Sequence, residues 1–315
     1  MNTCEADIIV KLQGIANGFW DVFFKIATVF GETGMVFIVM AVLLLTCGAR
    51  IAGKYGITAA AATVAGQVIK FIVQRPRPYE FSDDITAKTA ANGFSFISGH
   101  TLAATVTAAF LFLLALERMR GKPLKVLLGI LLTLAALTVG FSRVYLGVHY
   151  ITDVVGGFVL GIGLTLFCWW LFDEILRSYG YCFNLKDTRI MAKRFAKTTR
   201  TGLVTLGGEM GAGKTTFVAA VTAHLTTAAV TSPTFTIINQ YAENIYHADL
   251  YRLTDPHELE NTGFYELTAA APTTSPNLVF VEWADRIDFS KVNVPIIRVK
   301  IDILGKMSRR ITWDK

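Results

Sequence analysis

Three short polar stretches interrupt the apolar first half of the chain, and they hold side chains that could do chemistry there. They are residues 70–78 (KFIVQRPRP), 98–100 (SGH) and 142–153 (SRVYLGVHYITD). The first 180 residues contain only two histidines, and both lie in these stretches. Charged and titratable groups beside bilayer-length apolar segments are costly, so they indicate a functional site. The sequence therefore predicts that the membrane half is an enzyme and not an anchor.

The cations and neutral hydrogen-bond donors of these stretches suit a tetrahedral phosphate dianion. Guanidinium groups match phosphate oxygens, and backbone N–H groups add fixed dipoles. His149 can attack phosphorus if Asp153, one helical turn later, holds its other ring nitrogen. His100 is then free to protonate the leaving oxygen and later to activate water. The expected phosphate ligands are Lys70, Arg77, Ser98, Gly99 and Arg143.

Apolar segments position these residues. Residues 18–30 are amphipathic and short, which predicts an interfacial helix, with a further span as the alternative. Lysine and arginine cluster after the first, third and last spans, which places these turns in the cytoplasm and the polar stretches on the opposite side. Singly, Lys70 or Arg75 would be a snorkelling side chain, but the ensemble on one side indicates a site. A span needs about 20 residues, and the five candidates are residues 33–49, 56–74, 98–117, 123–142 and 149–172.

Composition divides the 315-residue chain in two. Hydrophobic residues make up 53% of it, and the long apolar runs lie almost entirely within residues 1–180. The net charge is +6, and the sequence contains no block of like charge that would indicate direct nucleic-acid binding. The four cysteines are scattered, so neither a zinc site nor a disulfide framework is indicated, and the N-terminus lacks the basic region of a cleavable signal peptide. We expect a membrane domain over residues 1–178 and a soluble α/β domain over 185–315.

A phosphate-binding loop is predicted in the second domain. The run GEMGAGKTT has G-x4-GK[ST] spacing, follows the strand-like GLVTL of residues 202–206 and opens a helix over 214–225. In such loops backbone amides wrap around phosphates, Lys214 reaches the outer phosphates and Thr215 ligates Mg²⁺. The predicted nucleotide site comprises Gly208, Glu209, Met210, Gly211, Ala212, Gly213, Lys214, Thr215 and Thr216.

Strands that alternate with helices in the rest of this domain predict a nucleotide-binding α/β sheet. Glu282 ends an apolar strand and could hold Mg²⁺ or polarise water, or it could be an edge-strand charge. Asp249 also follows an apolar run, where a lone aspartate is more often a helix cap. Trp283 fits either packing or a role at the nucleotide. Strands are expected over 234–241, 244–249, 278–282, 296–303 and 309–313, and helices over 187–200 and 255–261.

The motifs K-x6-RP, SGH and SR-x5-H-x3-D, in this order, resemble the type 2 phosphatidic acid phosphatase (PAP2) superfamily over about residues 20–175. The resemblance implies a helical membrane bundle and hydrolysis through a phosphohistidine without a metal or other cofactor. By position, His149 would be the nucleophile, Asp153 its orienting partner and His100 the acid and base. Ile97 replaces the family's usual proline, which loses pre-organisation at the helix start but no catalytic group, so a lower rate is expected. The lipid stays open between undecaprenyl pyrophosphate, phosphatidylglycerophosphate, phosphatidate and others.

The second domain resembles TsaE, the small ATPase of bacterial tRNA threonylcarbamoyladenosine synthesis. The matching runs are LKDTRIMAKRFA, LGGEMGAGKTTF, TSPTFTIINQY, HADLYRL, GFYEL and VEWADRI, within residues 185–315. The resemblance implies ATP hydrolysis with Mg²⁺ contacted by Thr215, Asp249 and Glu282, and it places Thr234 in a switch-like loop. It also implies TsaD- and TsaB-type partner subunits, with tRNA reached through them.

Together these features predict a multi-pass protein of a bacterial inner membrane, with an extracytoplasmic lipid phosphatase joined to a cytoplasmic ATPase. One alternative is an ATP-driven lipid transporter, which would need no nucleophile. A second is an ATPase tethered by a catalytically silent membrane domain. Vanadium haloperoxidase-like chemistry in a soluble protein is poorly compatible with five bilayer-length apolar runs.

Overall fold

Helices make up the first of two units of the chain. The computed structural model describes residues 3–227, 237–253, 256–269 and 277–314. It divides the chain into Met1–Phe172 and Asp173–Lys315. The helices of the first half are α1 (Thr3–Gly14), α2 (Gly18–Val29), α3 (Thr33–Cys47), α4 (Ala49–Val73), α5 (Pro78–Phe81), α6 (Gly99–Arg118), α7 (Lys122–Tyr145) and α8 (Ile151–Ser178).

Four stretches in the described part of the chain are long and apolar enough to cross a membrane: Ala49–Phe81, Gly99–Arg118, Lys122–Tyr145 and Ile151–Ser178. Helix α3 has 15 residues, fewer than the roughly 20 that a bilayer needs. It is long and apolar enough to cross a membrane only when it is taken together with α2, from which it is bent by 52°. A membrane span at the predicted residues 33–49 therefore forms only if α3 joins α2 in one bent span. The sequence predicts α2 as an interfacial helix instead. Helix α1 was not expected from the sequence.

Glycines on α8 allow it to lie directly against α6. A Cβ atom on Gly157 would be 3.0 Å from the carbonyl oxygen of Ser98, and one on Gly161 would be 2.9 Å from the Cβ of Thr105. Small residues at such spacing let helix backbones approach closely in a membrane. As a result, the backbone N–H of Ser98 donates to the carbonyl of Asp153 at 3.1 Å. This contact joins two of the three polar stretches.

A seven-stranded sheet forms the centre of the second unit. Its order is β1-β7-β6-β2-β5-β4-β3; the four middle strands β6, β2, β5 and β4 run parallel, and the outer strands pair antiparallel. The strands are β1 (Tyr181–Cys182), β2 (Gly202–Gly207), β3 (Ile238–Ala242), β4 (Ile245–Asp249), β5 (Leu278–Glu282), β6 (Ile296–Ile303) and β7 (Arg309–Trp313). The helices are α9 (Leu185–Thr198), α10 (Lys214–Thr222), α11 (Pro256–Glu260) and α12 (Phe264–Leu267).

The predicted α/β architecture is confirmed, with small differences at element ends. Helix α10 ends at Thr222 and not at residue 225. The strand predicted over 234–241 begins outside the described residues, and β3 starts at Ile238. Strand β1 has two residues, too few to carry a recognisable alternation. Because β4 and β5 are parallel and adjacent, Asp249 and Glu282 are register partners at the carboxyl edge of the sheet.

Candidate active sites

His149 lies in the loop between α7 and α8, and only 2% of it is exposed. Its Nδ1 is 3.4 Å from Oδ2 of Asp153 and 3.4 Å from Oγ of Ser95. Its Nε2 is 3.5 Å from Nη1 of Arg77. One ring nitrogen thus faces a carboxylate and the other faces a cation, as an imidazole that attacks an anionic substrate requires.

Asp153 is completely buried and has several hydrogen-bond donors. The Ser95 hydroxyl donates to Oδ2 at 2.5 Å, and the backbone N–H of Tyr150 donates to the same oxygen at 2.9 Å. Nη1 of Arg75 donates to Oδ1 at 2.7 Å. The interpretation of Arg75 as a lone snorkelling side chain is therefore wrong, because its guanidinium points to the buried carboxylate. Ser95 was not predicted, and only its nearness to the SGH stretch could have suggested it.

Helix α1 supplies a second carboxylate to Arg75. Nη2 of Arg75 donates to Oε2 of Glu5 at 2.8 Å, and Cζ of the guanidinium lies 3.8 Å from the Tyr150 ring centre. Oε1 of Glu5 accepts from the backbone N–H of Thr152 at 2.9 Å, in the first turn of α8. Glu5 is buried. No spacing rule links residue 5 to residues 75 and 152, so sequence patterns carried no signal for it.

A cavity of about 800 Å³ runs from the polar stretches along α3 and α4. At one end it is lined by four predicted site residues, Lys70, Gly99, His100 and Arg143. Its length is lined by small and apolar residues that include Val36, Phe37, Met40, Gly56, Ala59, Ala60, Thr63 and Gly66. Arg77 and His149 are buried and are not among the residues that line the cavity, but the backbone N–H of His149 donates to the carbonyl of Arg143, which does line it, at 3.2 Å. A polar end and an apolar length suit an amphipathic ligand.

The predicted phosphate ligands are held by neighbouring backbone and hydroxyl groups. Arg77 donates to the carbonyls of Gly93, Asn92 and Val148 at 2.8–2.9 Å. Lys70 donates to the carbonyl of Phe94 at 2.7 Å.

Arg143 and Ser98 keep capacity for a ligand. Nη1 of Arg143 donates to Thr28 at 2.7 Å, while its buried Nε has no partner among the described atoms. As the cap of α6, the Ser98 hydroxyl accepts from the backbone N–H of Thr101 at 3.4 Å, and it also accepts from Oγ1 of Thr101 at 2.9 Å. Since it accepts there, its own proton stays available to a ligand.

The phosphate-binding loop has the predicted form. Gly208 and Gly213 have φ angles of +149° and +99°, which other residues rarely adopt. Lys214 donates from Nζ to the carbonyls of Gly208 and Glu209 at 2.9 and 3.2 Å. The loop opens directly into α10, so its amides lie at a helix N-terminus, where phosphate binds well.

Glu282 lies against this loop and accepts hydrogen bonds there. It accepts from Oγ1 of Thr215 at 2.7 Å, and the same carboxylate oxygen lies 3.2 Å from Nε2 of His247. Burial raises the pKa of Glu282, but the hydrogen bonds from His247 and Thr215 outweigh this, so its pKa lies below the ordinary value. A hydroxyl beside a carboxylate is the oxygen donor set that Mg²⁺ prefers when nucleotide phosphates supply further ligands. The alternative interpretation of Glu282 as an edge-strand charge is wrong, since β5 lies between β2 and β4.

His247 was not predicted, although it precedes Asp249 in the run HAD. It is fully buried, and its Nδ1 is 3.1 Å from the Tyr241 hydroxyl. Strand alternation puts residues 247 and 249 on one face, which could have suggested it. Oδ1 of Asp249 accepts from the backbone N–H of Tyr251 at 3.1 Å, as an aspartate after a strand commonly does.

Trp283 both packs and faces the loop. Its ring lies among the apolar side chains on one side of the sheet, and the Lys214 ammonium is 4.6 Å from its centre. Thr234 lies outside the described residues. Among those that are described, no cluster of three histidine, cysteine or acidic side chains could alone hold a metal ion.

Comparisons with known proteins find a family for each of the two parts of the chain. Residues 51–177 match the family model of the PAP2 superfamily, and residues 182–311 match that of the threonylcarbamoyl adenosine biosynthesis protein TsaE. TsaE of Rickettsia typhi is 34% identical over 136 residues, which cover 41% of this chain and 90% of that protein. Phosphatidylglycerophosphatase B of Bacillus subtilis is 37% identical over 114 residues; the match covers 36% of this chain and about half (53%) of that protein.

A solved structure of a transmembrane PAP2-type phosphatidylglycerolphosphate phosphatase from Bacillus subtilis is similar over 55% of this chain and 86% of its own, with 24% identity and a TM-score of 0.49. PAP2 phosphatases are hydrolases, and TsaE proteins are ATPases. The chain belongs to the TsaE family through its second unit, and before it residues 51–177, which include helices long and apolar enough to cross a membrane, match the PAP2 superfamily.

Proposed function

We propose that the PAP2 domain removes phosphate from a membrane lipid through a phosphohistidine at His149, and that the TsaE domain hydrolyses ATP during tRNA modification. The observation that carries the first part is the buried His149–Asp153 pair. Its outer nitrogen faces Arg77, and it lies beside a cavity that is cationic at one end and apolar along its length. The proposed domains are residues 1–178 and 185–315.

In the proposed reaction Asp153 keeps the proton of His149 on Nδ1, so that Nε2 attacks phosphorus. The bond from phosphorus to the lipid oxygen breaks as the N–P bond forms, and His100 gives its proton to the leaving oxygen. His100 then takes a proton from water, which attacks phosphorus, breaks the N–P bond and releases inorganic phosphate. The phosphoryl group is stabilised by Lys70, Arg77, Ser98, Gly99 and Arg143.

For the TsaE domain, ATP phosphates would lie on the amides of residues 208–216, with Lys214 at the outer phosphates. Thr215, Glu282 and Asp249 would hold Mg²⁺, which supplies charge neutralisation at the phosphates. His247 would hold the Glu282 carboxylate in place. Subunits of the TsaB and TsaD type are the proposed partners, as the TsaE family implies.

The proposed location is a bacterial inner membrane, with the phosphatase site outside and the TsaE domain in the cytoplasm. The lysines and arginines after the first, third and last spans support this orientation. The exposed Asp84 lies between two of the polar stretches. A cysteine placed there should react with a membrane-impermeant thiol reagent in intact cells, and a reaction only after the cells are opened would refute the orientation.

A substrate panel on the purified full chain in detergent tests the phosphatase. We expect phosphate release without ATP and in the presence of EDTA. Phosphatidylglycerophosphate, phosphatidate and undecaprenyl pyrophosphate should react faster than glycerol phosphate, which has no tail to fill the cavity. Release that requires ATP would favour the transporter, and no release from any lipid would favour a silent anchor.

We further propose that Arg75 is a positioning residue, since it holds Asp153 and is itself held by Glu5. A lysine at position 75 cannot bridge both carboxylates with a planar fork. Arg75→Lys should therefore lower kcat roughly 10- to 100-fold, the scale of a small misplacement of a catalytic group. KM should stay unchanged, and Arg120→Lys, an exposed control, should have no effect. A rise in KM with kcat unchanged would show that Arg75 acts on substrate binding instead.

A further inference from the structure

Four cations form a stripe on the exposed face of α9: Lys186, Arg189, Lys193 and Lys197. At about 100° per residue these positions fall within an arc of roughly 80°. All four are exposed, and none forms an ion pair within the part of the chain that the structure describes. Other residues of α9 pack into the core of the second unit: Met191, Ala192, Phe195 and Ala196.

The stripe lies close to the end of the last membrane helix. Helix α8 ends at Ser178 and α9 begins at Leu185, so the chain between them spans at most about 25 Å. The final residues of α8 and all of α9 belong to the same unit. There Arg177 pairs with Asp187 at 3.2 Å, and Arg194 pairs with Glu174.

These two ion pairs leave the stripe free. Asp187 and Arg194 lie on a flank of α9 that is about 100° from the centre of the four cations. The two ion pairs between α9 and α8 therefore do not use the stripe. What remains is a surface of one charge sign beside the point where α8 leaves the membrane.

Four cations on one face lower the stability of helix α9. Arg189 and Lys193, and likewise Lys193 and Lys197, are like charges four residues apart, which destabilise a helix. An anionic surface over the stripe would reverse this cost. Each cation near an anionic bilayer raises binding on the order of fivefold, and salt weakens the effect.

We propose that this stripe binds anionic lipid headgroups at the membrane surface from which α8 emerges, and so holds the TsaE domain against that surface. The short link makes lipid headgroups the most concentrated anions available to it. An RNA backbone has similar charge but would have to displace the membrane from this face.

Lysine acetylation in the full chain tests the proposal. The protein is placed in nanodiscs of phosphatidylcholine alone, or of phosphatidylcholine with phosphatidylglycerol, and treated with a water-soluble acetylating reagent. In the anionic discs Lys186, Lys193 and Lys197 should react at least about fivefold more slowly. About 1 M salt should abolish this protection. The exposed Lys306 of the β6–β7 turn should react equally in both discs.

A charge-reversal variant distinguishes electrostatic attraction to the lipid headgroups from simple contact with the disc. In Arg189→Glu with Lys193→Glu, the remaining Lys186 and Lys197 should lose their protection. A matched reversal of the exposed Arg298 and Lys306 should leave that protection intact. Equal reactivity in the two discs, or protection that survives the α9 reversal, would overturn the proposal. Protection by added tRNA in neutral discs but not by phosphatidylglycerol would assign the stripe to RNA instead.

Discussion

Replacing His149 by alanine should lower lipid dephosphorylation at least about 10⁴-fold, because the reaction loses its nucleophile and water must attack without a covalent intermediate. The measurement is phosphate release from a lipid phosphate in mixed micelles. ATP hydrolysis by the same preparation serves as a control for folding. A residual rate within tenfold of the unaltered protein would remove His149 from the mechanism.

A variant of His100 separates the formation of the phosphohistidine from its hydrolysis. With p-nitrophenyl phosphate, whose leaving group needs no proton, His100→Asn should still form the phosphohistidine but hydrolyse it slowly. We therefore expect radioactive phosphate to accumulate on the His100 variant and not on the His149 variant. Labelling of neither variant would contradict a covalent route.

The protonation state of His149 supports its role as a nucleophile. Burial lowers its pKa to about 4, although the hydrogen bond with Asp153 raises it. The imidazole is therefore neutral above about pH 4, whereas an ordinary histidine gains a proton near pH 6.5. In spectra of isotope-labelled histidine, assigned by the His149 variant, we expect no titration of this ring between about pH 7 and pH 5. Asp153→Asn should lower the pKa further, because it removes the carboxylate that favours the cation.

Replacing Lys214 by alanine should lower ATP hydrolysis at least about 10²-fold, since the loop loses the cation that stabilises charge on the outer phosphates. In the structure this ammonium group already lies against the carbonyls of Gly208 and Glu209, so it needs little movement to reach a nucleotide. The measurement is phosphate release from Mg-ATP by the full chain, with TsaB- and TsaD-type subunits present. Lys306→Ala is the control for loss of an exposed charge.

The same variant tests whether the two activities depend on each other. The phosphatase mechanism proposed here uses no nucleotide, so lipid dephosphorylation should be unchanged in Lys214→Ala. A parallel fall in both rates would show that the domains are coupled.

Much of both sites could be predicted from the sequence because their chemistry depends on short spacings. His149 and Asp153 are four residues apart and their side chains do meet, at 3.4 Å, but the predicted shared helix face is wrong, because His149 lies in the loop before α8 begins at Ile151. The phosphate-binding loop is contiguous, so its residues could be named together with the helix that it opens. The apolar runs likewise marked the membrane helices, although the break between α2 and α3 depends on how they pack.

The residues that sequence reasoning missed are partners brought in from a distance. Glu5 and Arg75 meet across 70 positions, and His247 reaches Glu282 across 35. Each is an ordinary residue type with no fixed spacing to the group that it holds.

By itself the sequence determined which groups could attack, protonate and bind phosphate, because those roles require particular residue types at short intervals. Only the tertiary structure decided what surrounds them, namely the carboxylate of Glu5 behind Arg75 and the apolar cavity along α3 and α4. It also decided which face of α9 stays exposed. The physical reason is that packing brings together groups whose separation along the chain is unrelated to their distance in space.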